Sequence, residues 1–129
     1  NENWVKPGDQ PHEVYEATSS IFNKSGQPLI SDYELRRPDQ LWSILIINKD
    51  PINSHPINLE FHDKTTREMT ITKGDIELFQ YSRDQYQWKS NGEHGRPIKS
   101  DPPVHKTISL DQVALPPYSL SVILVHLPD

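Results

Sequence analysis

The stretch Leu115-Pro-Pro-Tyr-Ser-Leu-Ser-Val-Ile-Leu-Val-His-Leu127 decides the fold. Two prolines stop whatever precedes them, and a strand is predicted from about Tyr118 to Leu127. Strand side chains alternate, so Leu120, Val122 and Leu124 fall on one face, and Ile123, Val125 and Leu127 on the other. A half-buried strand is apolar on one side only. This one is apolar on both from Val122 onward, so both of its faces are expected to be covered.

The same doubling recurs upstream. Leu41–Asn48 places Trp42, Ile44 and Ile46 on one side, with Leu41, Leu45 and Ile47 on the other. The two doubly apolar runs are expected to be central strands and neighbours in one sheet. The remaining runs alternate more simply. Leu29 to Arg37 sets Leu29, Ser31, Tyr33 and Leu35 against Ile30, Asp32, Glu34 and Arg36, and the second row is expected to be wet. Arg37-Pro38-Asp39-Gln40 reads as a tight hairpin connection. Further strands are predicted at Glu13–Thr18, Ile57–Phe61, Met69–Thr72, Ile76–Ser82 and Val104–Leu110. Between the last two, Arg83 to Pro103 has no regular pattern and reads as a long loop, the kind that carries function or moves. About eight short strands separated by Pro, Gly and Asn turns predict an all-β fold, an antiparallel β-sandwich. Residues 1–12 read as a linker or N-terminal extension, and 13–129 as the sandwich domain.

Composition narrows the function. With 129 residues, one domain with one core is expected. A net charge of −5 argues against a nucleic-acid partner, which needs a basic surface. The absence of cysteine excludes disulfides, thiol nucleophiles and Cys-based zinc sites. No run approaches the roughly 18 apolar residues of a membrane span, so no membrane partner is expected. The chain opens Asn1-Glu2-Asn3-Trp4 without an initiator Met or a signal segment, as in a piece of a longer protein or a processed chain. Asn23-Lys24-Ser25 matches a glycosylation sequon, a pattern common by chance.

Catalytic motifs are sparse. His12, His55, His62, His94, His105 and His126 lie in different elements without His-x-His or His-Glu-x-x-His spacing, so no metal or other cofactor is expected. Only a cupin-type convergence of these histidines would support a stand-alone enzyme. Glu34, Glu60, Asp84 and Glu93 are conspicuous among the carboxylates, yet nothing pairs two of them as glycoside hydrolysis requires. No Gly-x-Ser-x-Gly elbow and no phosphate-cradling glycine loop is present. The aromatic cluster is more informative. Tyr81, Tyr86 and Trp88, interleaved with Gln80, Arg83, Asp84 and Gln85, offer flat rings beside hydrogen-bonding groups, which suits a sugar. They are the candidate carbohydrate contacts. For Trp88 the favoured role is different: folding back to cap the core, since large aromatics are mostly buried.

Tyr33, Arg37-Pro38-Asp39, Trp42 and Asn48-Lys49-Asp50 occur in an order that resembles the C-terminal β-sandwich of (β/α)-barrel glycoside hydrolases of the xylosidase and arabinofuranosidase type. Leu115-Pro-Pro-Tyr-Ser-Leu-Ser-Val-Ile123 is similar to the closing strand of such domains, and Tyr86-Gln87-Trp88 followed by Pro102-Pro103 is similar to another of their phrases. The resemblance runs from about Val14 to Leu127. It implies a non-catalytic accessory domain whose partner is the barrel of the parent chain, packing against it and rimming its substrate cleft. It implies a secreted or periplasmic setting, and it places the catalytic acid and nucleophile in the barrel. It also gives the doubly apolar strands a purpose. Covering a further face of about four aliphatic side chains contributes roughly 1.5–3 kcal/mol for each. Trp42, Ile44, Ile46, Ile123, Val125 and Leu127 are the candidate interface residues. The competing function is a carbohydrate-binding module that uses the aromatics of residues 81–103.

Overall fold

Alternating apolar rows build one broad antiparallel sheet. The computed structural model describes residues 13–15, 19–62, 65–67, 69–71 and 74–126. Six strands form the sheet: β1 (Glu13–Tyr15), β2 (Ile30–Arg36), β3 (Leu41–Asn48), β7 (Asp75–Tyr81), β10 (Val104–Ser109) and β12 (Ser119–His126). Their spatial order is β1-β2-β3-β12-β7-β10. Six shorter strands pair outside it: β4 (His55–Pro56) with β11 (Ala114–Leu115), β5 (Glu60–His62) with β6 (Met69–Ile71), and β8 (Tyr86–Lys89) with β9 (Arg96–Ser100). The fold is all-β and antiparallel, as the alternation predicts. No helix among the described residues is long and apolar enough to cross a membrane.

The two doubly apolar runs are central neighbours, with Ile123 opposite Ile44 and Val122 opposite Leu45. One face of the sheet is the core. Ile44, Ile46, Ile76, Leu78, Ile123 and Val125 are all buried on it. Its cover is a sparse second layer. Leu110 belongs to a 3-10 turn at Leu110–Gln112; Val113 and Leu115 follow, and all three are buried in the same cluster. Ile21, Ile57 and Leu59 pack against the cluster from the connections and Phe61 from β5, where it meets Trp42 edge-on at 5.1 Å between centroids.

This corrects the expected interface. Trp42, Ile44, Ile46, Ile123 and Val125 lie on the face that the chain covers for itself, so they are core residues; Leu127 lies outside the described residues. Periodicity separates two faces but does not say over which one the connections fold. The opposite face carries Leu45, Ile47, Leu120, Val122 and Leu124.

Strand β2 is a second correction. Its row Ile30, Asp32, Glu34, Arg36 points to the covered side, opposite Asn48, Ile46, Ile44 and Trp42. Tyr33 and Leu35 point to the open side, where Tyr33 is 55% exposed. The strand pairs in register with β3, so its rows follow β3's faces whatever its own polarity. Two smaller differences have local causes. Of the expected strand Ile57–Phe61 only Glu60 and Phe61 are in a strand, β5, while the two-residue β4 ends just before it at Pro56, which lacks an N–H with which to extend a ladder. The expected loop Arg83–Pro103 contains the β8–β9 hairpin, whose residues are exposed on both strands.

Candidate functional site

The open face and the aromatic segment meet at one end of the sheet. Register places Tyr33, Leu45, Val122, Phe79 and His105 in a single band across five strands. At a strand spacing of about 4.8 Å, such a band is roughly 20 Å long. His105 stacks on Phe79 at 4.1 Å between centroids and bonds Glu77 at 2.5 Å, which ends the apolar stretch. The next band runs Ile47, Leu120, Tyr81 and forms part of the lining of an open cleft of about 390 Å³.

Local hydrogen bonds shape the cleft walls. After β7 the chain turns at Ser82, where Gln85 Oε1 accepts from both the Ser82 amide and its hydroxyl, and the Tyr86 amide donates to Ser82 O. The turn brings Tyr86 to 6.2 Å from Tyr81, with 35° between the ring planes. Gln80 is also structural, its amide reaching Ala114 O and Ser121 Oγ. The facing wall comes from the Pro116-Pro117-Tyr118 turn. Tyr118 has φ +47°, a left-handed conformation that bulky side chains rarely adopt. Its amide donates to Asp50 O at 3.0 Å, and its half-exposed ring carries the Arg83 guanidinium 4.7 Å from the centroid. Lys49 completes the lining. Ser119 Oγ, the hydroxyl of another lining residue, is buried without a hydrogen-bond partner.

Beneath the cleft lies a polar corner. Asn48 is 1% exposed. Its Nδ2 shares two N–H donors among the carbonyls of Leu115, Pro116 and Asn53 at 2.9–3.1 Å, while its Oδ1 accepts from the Asp50 amide. Three carbonyls at one end and an amide at the other fix which way the side chain lies. Asp50 is buried too, and its carboxylate accepts from the Ile52 and Asn53 amides, from Asn53 Nδ2 and from His55 Nε2. Those bonds, the two backbone amides foremost, hold its carboxyl well below the ordinary carboxylate range. Since a carboxylate only accepts, His55 carries a proton on Nε2.

Of the carbohydrate-contact candidates, Tyr81 and Tyr86 come together in the cleft and Trp88 does not. Trp88 caps no core; it is 55% exposed on the hairpin and rests on Gly95, where a Cβ would approach its ring to 2.7 Å. Tyr118 and Lys49 are cleft residues that the sequence did not single out, because each enters from a different turn. Their local signals were the Pro116-Pro117-Tyr118 and Asn48-Lys49-Asp50 phrases.

The other candidates stay apart. His55 serves Asp50, His62 bonds Glu60, and His105 bonds Glu77. Among the described residues no three His, Asp or Glu side chains gather as metal ligands would, and His12 lies outside the described residues. Glu34 sits half-buried beside Asp32 on the covered side, in place of the wet face expected of it, and burial pushes both carboxyls above their ordinary values. No protein-family profile, curated protein or solved structure matches this chain.

Proposed function

We propose that this chain is a non-catalytic accessory domain of a glycoside hydrolase, docking through the open face of its six-stranded sheet onto the catalytic barrel of the parent chain. The carrying observation is the band Tyr33–Leu45–Val122–Phe79 on the face opposite the core, with Tyr33 exposed and the other three half-buried. Leu110, Val113 and Leu115, with Ile21, Ile57, Leu59 and Phe61, pack on the other side. Strand β2 adds weight, since it turns Tyr33 and Leu35 outward and two carboxylates inward, the reverse of what an isolated domain favours. The resemblance of the Ile30–Asp50 and Leu115–Ile123 phrases supplies the barrel as partner. The test is an assay of the purified chain on aryl xylosides and arabinofuranosides. No turnover is expected, and measurable hydrolysis would overturn the accessory reading.

A second reading has its own support. Tyr81, Tyr86 and the exposed Trp88 offer ring faces to a sugar, and the cleft opens at the end of the proposed docking face. Carbohydrate contact at this rim is compatible with docking. Titrating oligosaccharides while following Trp and Tyr fluorescence tests it, and an unchanged signal would leave docking as the sole role.

A further inference from the structure

The cleft reverses the charge of the chain around it. The protein carries 18 acidic residues against 13 basic ones. Yet the cleft lining holds two cations, Lys49 and Arg83, and no Asp or Glu. Neither cation forms an ion pair among the described residues; Lys24, Lys89, Arg96 and Lys106 share that state, and what sets Lys49 and Arg83 apart is that they line one cleft together. The guanidinium of Arg83 lies over the Tyr118 ring, which orients it while leaving its N–H donors without a carboxylate. Tyr118 is held there by a left-handed backbone, and unfavourable backbone of this kind concentrates at binding sites. Beside the cations stand the rings of Tyr81 and Tyr86.

We propose that the cleft binds a sugar ring bearing a carboxylate, such as the uronic acid terminus of an acidic oligosaccharide. The apolar face of the ring lies against the tyrosines, its carboxylate takes the paired N–H donors of Arg83, and Lys49 adds attraction from the rim. The anion part of this assignment stands on the two unpaired cations. The sugar part rests on the carbohydrate reading above.

Calorimetric titration of the whole chain with three probes separates the two parts: a uronic-acid-terminated trisaccharide, a neutral trisaccharide of the same length, and inorganic phosphate. The acidic trisaccharide is expected to bind about tenfold tighter than the neutral one and to weaken as salt is raised. Arg83→Gln should remove about that tenfold while leaving Tm unchanged, and Lys49→Gln should remove less. Equal binding of both trisaccharides, untouched by Arg83→Gln, would overturn the anionic assignment and leave carbohydrate binding standing. Phosphate bound as tightly as the acidic sugar, with the neutral sugar silent, would overturn the sugar part. Silence from all three probes would overturn both.

Discussion

Asn48 holds the cleft together from below, and its chemistry makes a sharp test. Asn48→Asp keeps the shape but turns the donor facing three carbonyls into an acceptor. Buried polar atoms left facing their own kind cost about 1–3 kcal/mol each, so urea denaturation should show a loss of about 3 kcal/mol. Asp50 sets a pH signature. Its carboxyl titrates lower in the folded chain than in the unfolded one, so its contribution is complete above the ordinary carboxylate value of about 4 and is lost as pH falls below it. Asp32 and Glu34 have the opposite sign. Burial raises their folded values, so their charged forms oppose folding at neutral pH, and that opposition fades as acid protonates them. Denaturant midpoints followed from pH 7 to pH 3 should therefore show Asp50→Asn less stable than the parent at pH 7, with the gap narrowing below about pH 4 and still open at pH 3, above the folded carboxyl's own titration. Glu34→Gln should be more stable at pH 7 and converge with the parent in acid. A Glu34→Gln variant less stable at pH 7 would mean that its carboxylate has a partner that holds the charge.

Turns are where the elements acquire function. Tyr118 in the left-handed region costs of order 1–3 kcal/mol, and asparagine accepts that conformation more readily. Tyr118→Asn should therefore hold or raise Tm while removing the ring under Arg83, so that stability and ligand binding move in opposite directions. The strands themselves were legible because alternation is local. Residues 41–48 and 119–126 emerge as central neighbours from their doubled apolar rows alone. What alternation omits is the choice of covered face, which depends on where Leu110, Val113 and Leu115 land, and they arrive from a distant connection. The β8–β9 hairpin was illegible for a related reason. Its residues are exposed on both strands, with a register shift between Gln87 and Trp88, so no apolar rhythm marks it. Half of the cleft could be read, since Tyr81 and Tyr86 are close in sequence. Tyr118 and Lys49 join them only through the pairing of β12 with β3 and β7.

At the scale of the whole molecule, two faces of one sheet make opposite predictions for adjacent residues. Ile123 is fully buried, and truncation to alanine should cost about 3 kcal/mol. Val122 is its neighbour on the open face, opposite Leu45 and Phe79. In the isolated chain, where Val122 is half-buried, Val122→Lys should cost about 1 kcal/mol, from lost strand propensity and lost contact with the neighbouring strands. If a parent chain docks a barrel on this face as proposed, the same substitution there would meet a different environment. There the lysine would be buried against the docked domain without a carboxylate, and an unpaired buried charge costs several kcal/mol. Calorimetry of both proteins decides the matter. A Val122→Lys penalty confined to the parent, with the barrel and the sandwich melting as separate transitions in the variant, is the signature of docking through this face. An equal penalty in the isolated chain would mean that Val122 is already covered, and the open face would cease to be an interface.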